Sequence, residues 1–318
     1  MVKVKLDYRE KVFHPAFRLG MKTALWLLKL TIPVSLGVFL LDWLGVLEAI
    51  SHLTAPFFSL FGLSGKASIV LITGYFTNIY SVIAVMATLN LTLREGLILA
   101  NMCLIAHALI VESGIQKKTG SSPWRMILLR LITGFIAAWI LNLLLPDLAG
   151  KIIPRTEVLQ REFLPAFLEW MKAIGITSVK IVILVNVLLV LQKLLSELGI
   201  LKWLERPFYP LLTVMGLPRK SSFLWLVANT LGLSYGGAIM ISQASEGALT
   251  RSDADLLNHH IAISHSQFED TLLFAAMGFS IPWLVFPRFF LAIAVVWMRR
   301  LELRLYRKRG NLLTGKRG

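Results

Sequence analysis

The octapeptide PFFSLFGL at residues 56–63 returns as PLLTVMGL at 210–217. One such match carries little weight. The series to which it belongs decides the fold. Gly45 and Gly199 stand at the same offset of 154 positions. Farther along the offset is 158: Gly74 matches Gly232, Thr92 matches Thr250, His107 matches His265, Glu112 matches Asp270 and Arg130 matches Arg288. PW at 123–124 recurs one residue out of step at 282–283. Ordered matches at nearly one offset predict a duplicated architecture, with halves at 23–146 and 173–300 joined by a linker at 147–172.

The chain has 318 residues, 56% hydrophobic and 16% charged, with a mean hydropathy of +0.69. These values and the long apolar runs predict an all-α polytopic membrane protein. Apolar helices are expected at 23–45, 95–115, 124–146, 173–195, 254–277 and 281–299. Segments 46–62 and 197–216 are amphipathic, contain Pro56, Pro207 and Pro210, and read as short interfacial helices. A single cysteine, Cys103, excludes a disulfide framework and a thiolate metal site. The net charge of +15 gathers beside apolar spans, in the basic segment 1–22 and the basic tail 301–318. That placement points to anionic lipid head groups rather than nucleic acid. Segment 1–22 lacks the small-residue site of a cleaved signal and reads as cytoplasmic.

Two apolar stretches, 67–90 and 221–245, are interrupted by TGYFTNIYS (73–81) and ANTLGLSYGG (228–237). Gly, Asn, Thr and Ser in mid-run disfavour a continuous helix. If both stretches are re-entrant hairpins, each half has three transmembrane helices, one hairpin and one short interfacial helix. An odd number of crossings inverts the second half relative to the first. QKKTGSSPWR (116–125) and 197–221 then face the cytoplasm, as do both termini, whereas AAMGFSIPW (275–283) and the linker 147–172 are external. This arrangement obeys the positive-inside rule in the cytoplasmic membrane.

The polar residues inside the spans are the candidate site. His107 and His265 are expected near the middle of their helices, able to bind a substrate, a cation or a proton, or to pack two helices. Glu112, Glu269 and Asp270 are carboxylates inside spans and call for a partner. Glu269 follows His265 by four residues, which puts them on one helical face. Arg130 and Arg288 are expected to neutralise Glu112 and Asp270. The hairpin tips carry Thr77, Asn78 and Tyr80, then Asn229, Thr230, Ser234 and Tyr235, hydrogen-bonding groups suited to a polar solute. His259 and His260, with Asp253 and Asp255, read as a solvated helix start.

An interrupted segment followed by a polar-marked helix, as in AHALIVESG (106–114) and SHSQFEDT (264–271), resembles the Gate, or nucleoside-recognition, domain family. That domain occurs in concentrative nucleoside transporters, in the membrane region of ferrous iron transporter B proteins and in spore maturation membrane proteins. The resemblance spans both halves and implies a transport-like scaffold of two inverted Gate-like repeats. The chain departs from the iron transporters in having no G-x-x-x-x-G-K-[ST] motif, and has fewer spans than a full nucleoside transporter. It looks most like stand-alone members. The expectation is a permease for a small polar solute, nucleoside-like or an organic anion, with proton coupling through His107, His265, Glu112 and Glu269. Divalent metal-ion transport is one alternative and a non-transport membrane scaffold is another. No nucleophile–base pair or cofactor fingerprint is present, so neither an enzyme nor a cofactor is expected. A homo-oligomer is compatible with this reading.

Overall fold

The computed structural model describes residues 13–146, 148, 150, 162–200, 205–230 and 232–314. Most of those residues are helical, with no strand among them. In order they form α1 (His14–Trp43), α2 (Val46–Phe58), α3 (Ala67–Phe76), α4 (Ile79–Thr88), α5 (Leu93–Ile105), α6 (Leu109–Lys118), α7 (Pro123–Leu144), α8 (Phe163–Glu197), α9 (Tyr209–Val214), α10 (Ser222–Thr230), α11 (Gly232–Ser245), α12 (Arg251–Ser264), α13 (Glu269–Ala275) and α14 (Ile281–Thr314). The all-α polytopic reading is borne out. Five stretches are long and apolar enough to cross a membrane: His14–Trp43, Leu93–Lys118, Pro123–Leu144, Phe163–Leu191 and Ile281–Tyr306. Trp26, Leu128, Trp139, Ile183, Phe290 and Met298 point outward from four of them, as a lipid-facing surface requires.

Several boundaries differ from expectation. Helix α1 begins at His14, α8 begins at Phe163, and α14 runs on to Thr314, so basic residues of both termini extend membrane helices. Half of the linker and part of 197–216 lie outside the described residues. The segment 254–277 is not among the long apolar stretches. Its first part, α12, carries Asp253, Asp255, Asn258, His259 and His260, and its helix stops at Ser264.

Local chemistry sets the element ends, and it does so in pairs. Thr92 caps α5 by accepting from Glu95 N, and the Glu95 side chain reaches back to close a capping box. Thr250 caps α12 by accepting from Asp253 N in the same manner, 158 positions later. Gly62 and Gly216, 154 apart, both hold the left-handed conformation that an L side chain disfavours, with φ of 67° and 75°. The only described non-glycine residues with positive φ are Ala108 (44°) and Ser266 (49°), again 158 apart.

Helices α3 and α4 fold back on each other, with Gly74 against Val82, and α10 and α11 do likewise, with Gly236 against Ala228. Each described arm is short, and the ten residues of α3 or α4 span roughly 15 Å. The equivalent long helices α1 and α8 run antiparallel: Gly20 lies against Asn186, and Trp170 Nε1 donates to Ser35 Oγ at 3.1 Å. Helices α7 and α14 are antiparallel too, with Arg125 beside Glu302 at one end and Leu141 near Trp283 at the other. The stretch Leu93–Lys118 runs through the middle of this assembly; 72% of its most apolar window is buried, against 28–33% for the other four.

Candidate functional site

The expected continuous helices at 95–115 and 254–277 are both broken. Helix α5 stops at Ile105 and α6 starts at Leu109; α12 stops at Ser264 and α13 starts at Glu269. His107 and His265 therefore sit in unwound chain, not in mid-helix. Because the helix is interrupted, the four-residue spacing from His265 to Glu269 no longer places them on one face.

Each break is held open by partners from other elements. Arg130 on α7 donates from Nε to Ile105 O and from Nη2 to His107 O, both at 2.7 Å. These bonds occupy carbonyls that the end of α5 would otherwise leave unpaired at membrane depth. Ala108 N donates to Gly74 O on the first hairpin at 2.9 Å. In the second half Ser266 N donates to Ala228 O and Phe268 N to Asn229 O, each at 3.1 Å. The partner equivalent to Gly74 is thus Ala228, at the 154 offset, and not Gly232. A left-handed Ala or Ser costs about 1–2 kcal/mol, which these bonds offset.

The two breaks face each other. The His107 and His265 rings are 5.1 Å apart between centroids. In both rings Nδ1 donates to the carbonyl four residues back: Cys103 O at 2.9 Å and Ile261 O at 2.8 Å. Both Nε2 atoms point toward one carboxylate oxygen, Glu112 Oε1, at 3.3 and 3.2 Å. Asp270 Oδ2 lies 3.7 Å from His107 Nε2. The second Glu112 oxygen is ion-paired with Arg130 Nη2. His107, Glu112, His265 and Asp270 are each less than a tenth exposed, and Arg130 is fully buried. Glu112 occupies the first turn of α6 and Asp270 the first turn of α13. The breaks create those N-termini, where free N–H groups favour negative charge.

The two arginines are not used alike. Arg288 is expected beside Asp270, yet no ion pair within 4.0 Å joins them. Its Nη2 donates to Gln267 Oε1 at 3.0 Å and to Thr271 Oγ1 at 2.7 Å, and its Nε to Leu284 O at 2.8 Å. Asp270 turns instead toward His107 of the other half.

At the hairpin tips most polar side chains are spent locally. Thr77 Oγ1 donates to Thr73 O, Thr230 Oγ1 to Leu226 O, and Asn229 Nδ2 to Trp225 O. Asn78 Oδ1 caps α4 by accepting from Ser81 N. Tyr80 differs: its hydroxyl donates across the halves to Glu269 Oε1 at 3.3 Å. Asn229 Oδ1 is buried without a hydrogen-bond partner. The side chains of Ser234 and Tyr235 lie outside the described residues.

His259 and His260 are buried rather than solvated. His260 Nδ1 faces Ser264 Oγ at 2.7 Å, and Trp225 Nε1 donates to it at 3.3 Å. His259 belongs to a network that sequence reasoning missed. Arg125 donates from Nε to His259 Nε2 at 2.9 Å and pairs with Glu302; Arg299 bridges Asp255 and Glu302 at 2.7 and 2.9 Å; Ser121 Oγ donates to Asp255 at 2.8 Å. These residues come from the basic loop with the start of α7, from α12 and from the C-terminal part of α14. Asp253 pairs separately with Lys220.

The Gate family model, described as nucleoside recognition, matches residues 24–121. That range runs from within α1 through α6 and includes His107 and Glu112, but not Arg130 or the second half. The chain is 29% identical over 275 residues to the uncharacterized membrane protein YvoD of Bacillus subtilis (strain 168), covering 85% of this chain and 88% of that one. No solved structure matches the chain. It is therefore a multi-helix membrane protein whose residues 24–121 match the Gate, or nucleoside-recognition, family model.

Proposed function

We propose that the protein is a permease-like transporter of the cytoplasmic membrane, working by alternating access between two inverted halves. The crossing of two broken helices at His107 and His265 carries this reading. Unwound backbone survives at membrane depth where it is buried in protein or lines a wet path, and transporters place such breaks at their sites. The antiparallel packing of α1 with α8 and of α7 with α14 supports inversion. With the basic loop 116–125 and the C-terminal end of α14 cytoplasmic, the Arg125–Asp255–Glu302 network closes the cytoplasmic side.

The inward ring nitrogens favour a cation at the crossing. Glu112 and Asp270 are balanced by Arg130 and Arg288 among the buried groups. With neutral imidazoles two Nε2 lone pairs then face Glu112 Oε1, an arrangement that a proton or metal ion relieves. A polar organic solute is the second reading, favoured by Asn229 Oδ1, buried without a partner, and by Tyr80 and Glu269 meeting between the hairpins. Purified protein in liposomes, challenged with nucleosides, organic anions and divalent cations, tests the proposal. Flux of one of these, lost in His107→Gln and His265→Gln, is the expected result. No flux of any class, or flux unchanged in both variants, contradicts it.

A further inference from the structure

We infer that His107, His265 and Glu112 form a three-ligand binding site for one divalent transition-metal ion of the Zn2+ class, with Asp270 beside it. This deepens the reading above by naming the cation, and rests on that reading only for the claim that the ion is carried.

The distances are the first argument. Metal–nitrogen and metal–oxygen bonds of about 2.0–2.1 Å place neighbouring tetrahedral ligands about 3.3–3.4 Å apart. Here the Nε2–Oε1 separations are 3.3 and 3.2 Å, and Nε2–Oδ2 is 3.7 Å. A direct imidazolium–carboxylate hydrogen bond draws its atoms to about 2.7–2.9 Å. The observed spacing is longer than that and matches the edges of a coordination polyhedron. One atom from each of His107, Glu112 and His265 lies within 4.8 Å of the other two.

The second argument is orientation. Each imidazole donates Nδ1–H to a backbone carbonyl, which leaves Nε2 with its lone pair aimed inward. Carbonyl-anchored Nδ1 and inward Nε2 are the arrangement that outer-shell partners give to metal-binding histidines. Without a cation, two lone pairs face a carboxylate oxygen, a repulsive set. Arg130 holds Glu112 Oε2 and so fixes Oε1 toward both rings.

The third argument is unmet valence. His265 Nε2 and Asp270 Oδ2 are buried without a hydrogen-bond partner among the described residues. Both belong to side chains at least nine-tenths buried. Two imidazole nitrogens with a carboxylate oxygen suit Zn2+ and its neighbours better than Mg2+ or Ca2+, which prefer oxygen alone.

The test uses full-length protein in detergent, cleared of metal and titrated with Zn2+ against a chromogenic chelator, then with Co2+ as a spectroscopic probe. One equivalent bound, with the intense visible absorption of tetrahedral Co2+, is expected. His107→Gln and His265→Gln should each weaken Zn2+ by on the order of 100-fold or more, since even outer-shell losses cost about 10–100-fold. His52→Gln, an exposed histidine beside Glu48, should leave binding unchanged. If the site variants do not fold, zinc X-ray absorption on the native protein decides: two imidazoles with carboxylate oxygen support the site, and an all-oxygen shell overturns it. No stoichiometric binding to native protein also overturns it. Metal binding without flux in liposomes upholds the site and removes the transport reading. Flux of another solute without metal binding does the reverse.

Discussion

The molecule has two ends, built from equivalent positions and closed by opposite chemistry. At one end Arg125, Asp255, His259, Arg299 and Glu302 tie α7, α12 and α14 together. At the other, the positions 158 residues away are Trp283, Leu97, Asn101, Leu141 and Leu144. Leu97 and Leu141 are fully packed in the core, Trp283 packs against it, and Asn101 Nδ2 donates to Trp283 O at 3.0 Å where His259 meets Arg125 at the other end. One backbone frame thus carries an ionic clasp and an apolar one. Water and salt loosen the first at the part-exposed Arg125–Glu302 pair, where the charges are solvated and screened. Opening the second exposes apolar surface at about 25 cal/mol per Å². Under the proposed alternation, unlike clasps would give the molecule a preferred resting side.

Substitutions separate the two chemistries. The largest difference lies at the crossing. Arg130→Met should lose about 3–5 kcal/mol, because it leaves Glu112 buried and unpaired. Arg288→Met, whose side-chain partners are neutral, should lose only about 1–3 kcal/mol. Denaturant unfolding in detergent measures both, and equal losses would remove the asymmetry between the halves. At the apolar end, Leu141→Ala should cost about 2–5 kcal/mol through the cavity it leaves, with no dependence on salt. At the ionic end, Glu302→Gln should cost about 1 kcal/mol or less, since this pair is part-exposed. Its effect should vanish near 1 M salt; a salt-independent loss would show that the clasp is not ionic. Smallest is Ala108→Gly, which relieves a left-handed alanine and should gain roughly 0.5–1 kcal/mol. Ser266→Gly should match it, and opposite signs would show that the two breaks are not alike.

Much of the fold is legible because membrane physics is strict. Apolar runs mark the long helices, and Gly, Asn and Thr in TGYFTNIYS mark the first hairpin turn at Thr77–Asn78. The breaks at His107 and His265 are less legible for a physical reason. Ala106 and Ala108 flank His107, and alanine is the strongest helix former. The chain leaves the helix there because Arg130, on another helix, accepts the role of capping its carbonyls. That is tertiary override, invisible to local propensity. The repeat did mark both positions, through His107 with His265 and Glu112 with Asp270. It also suggested that Arg288 repeats the job of Arg130, which it does not: Gln267 and Thr271 lie nearer, and their counterparts in the first half are Leu109 and Ser113. The ionic clasp was hidden because its charges come from the start of α7, from α12 and from the far end of α14, which only the fold brings together.

Alternation between the two ends is the central claim, and pulsed electron–electron distance measurement tests it most directly. Spin labels at Trp124 and Leu305, both exposed, report on the ionic end. Labels at Leu143 and Phe286, also exposed, report on the apolar end. Cys103 is buried in the core and can stay in place. Protein in lipid should show two distances for each pair, and added Zn2+ or high salt should shift the two ends in opposite senses. A single unchanging distance at both ends would contradict alternating access and leave a rigid membrane scaffold.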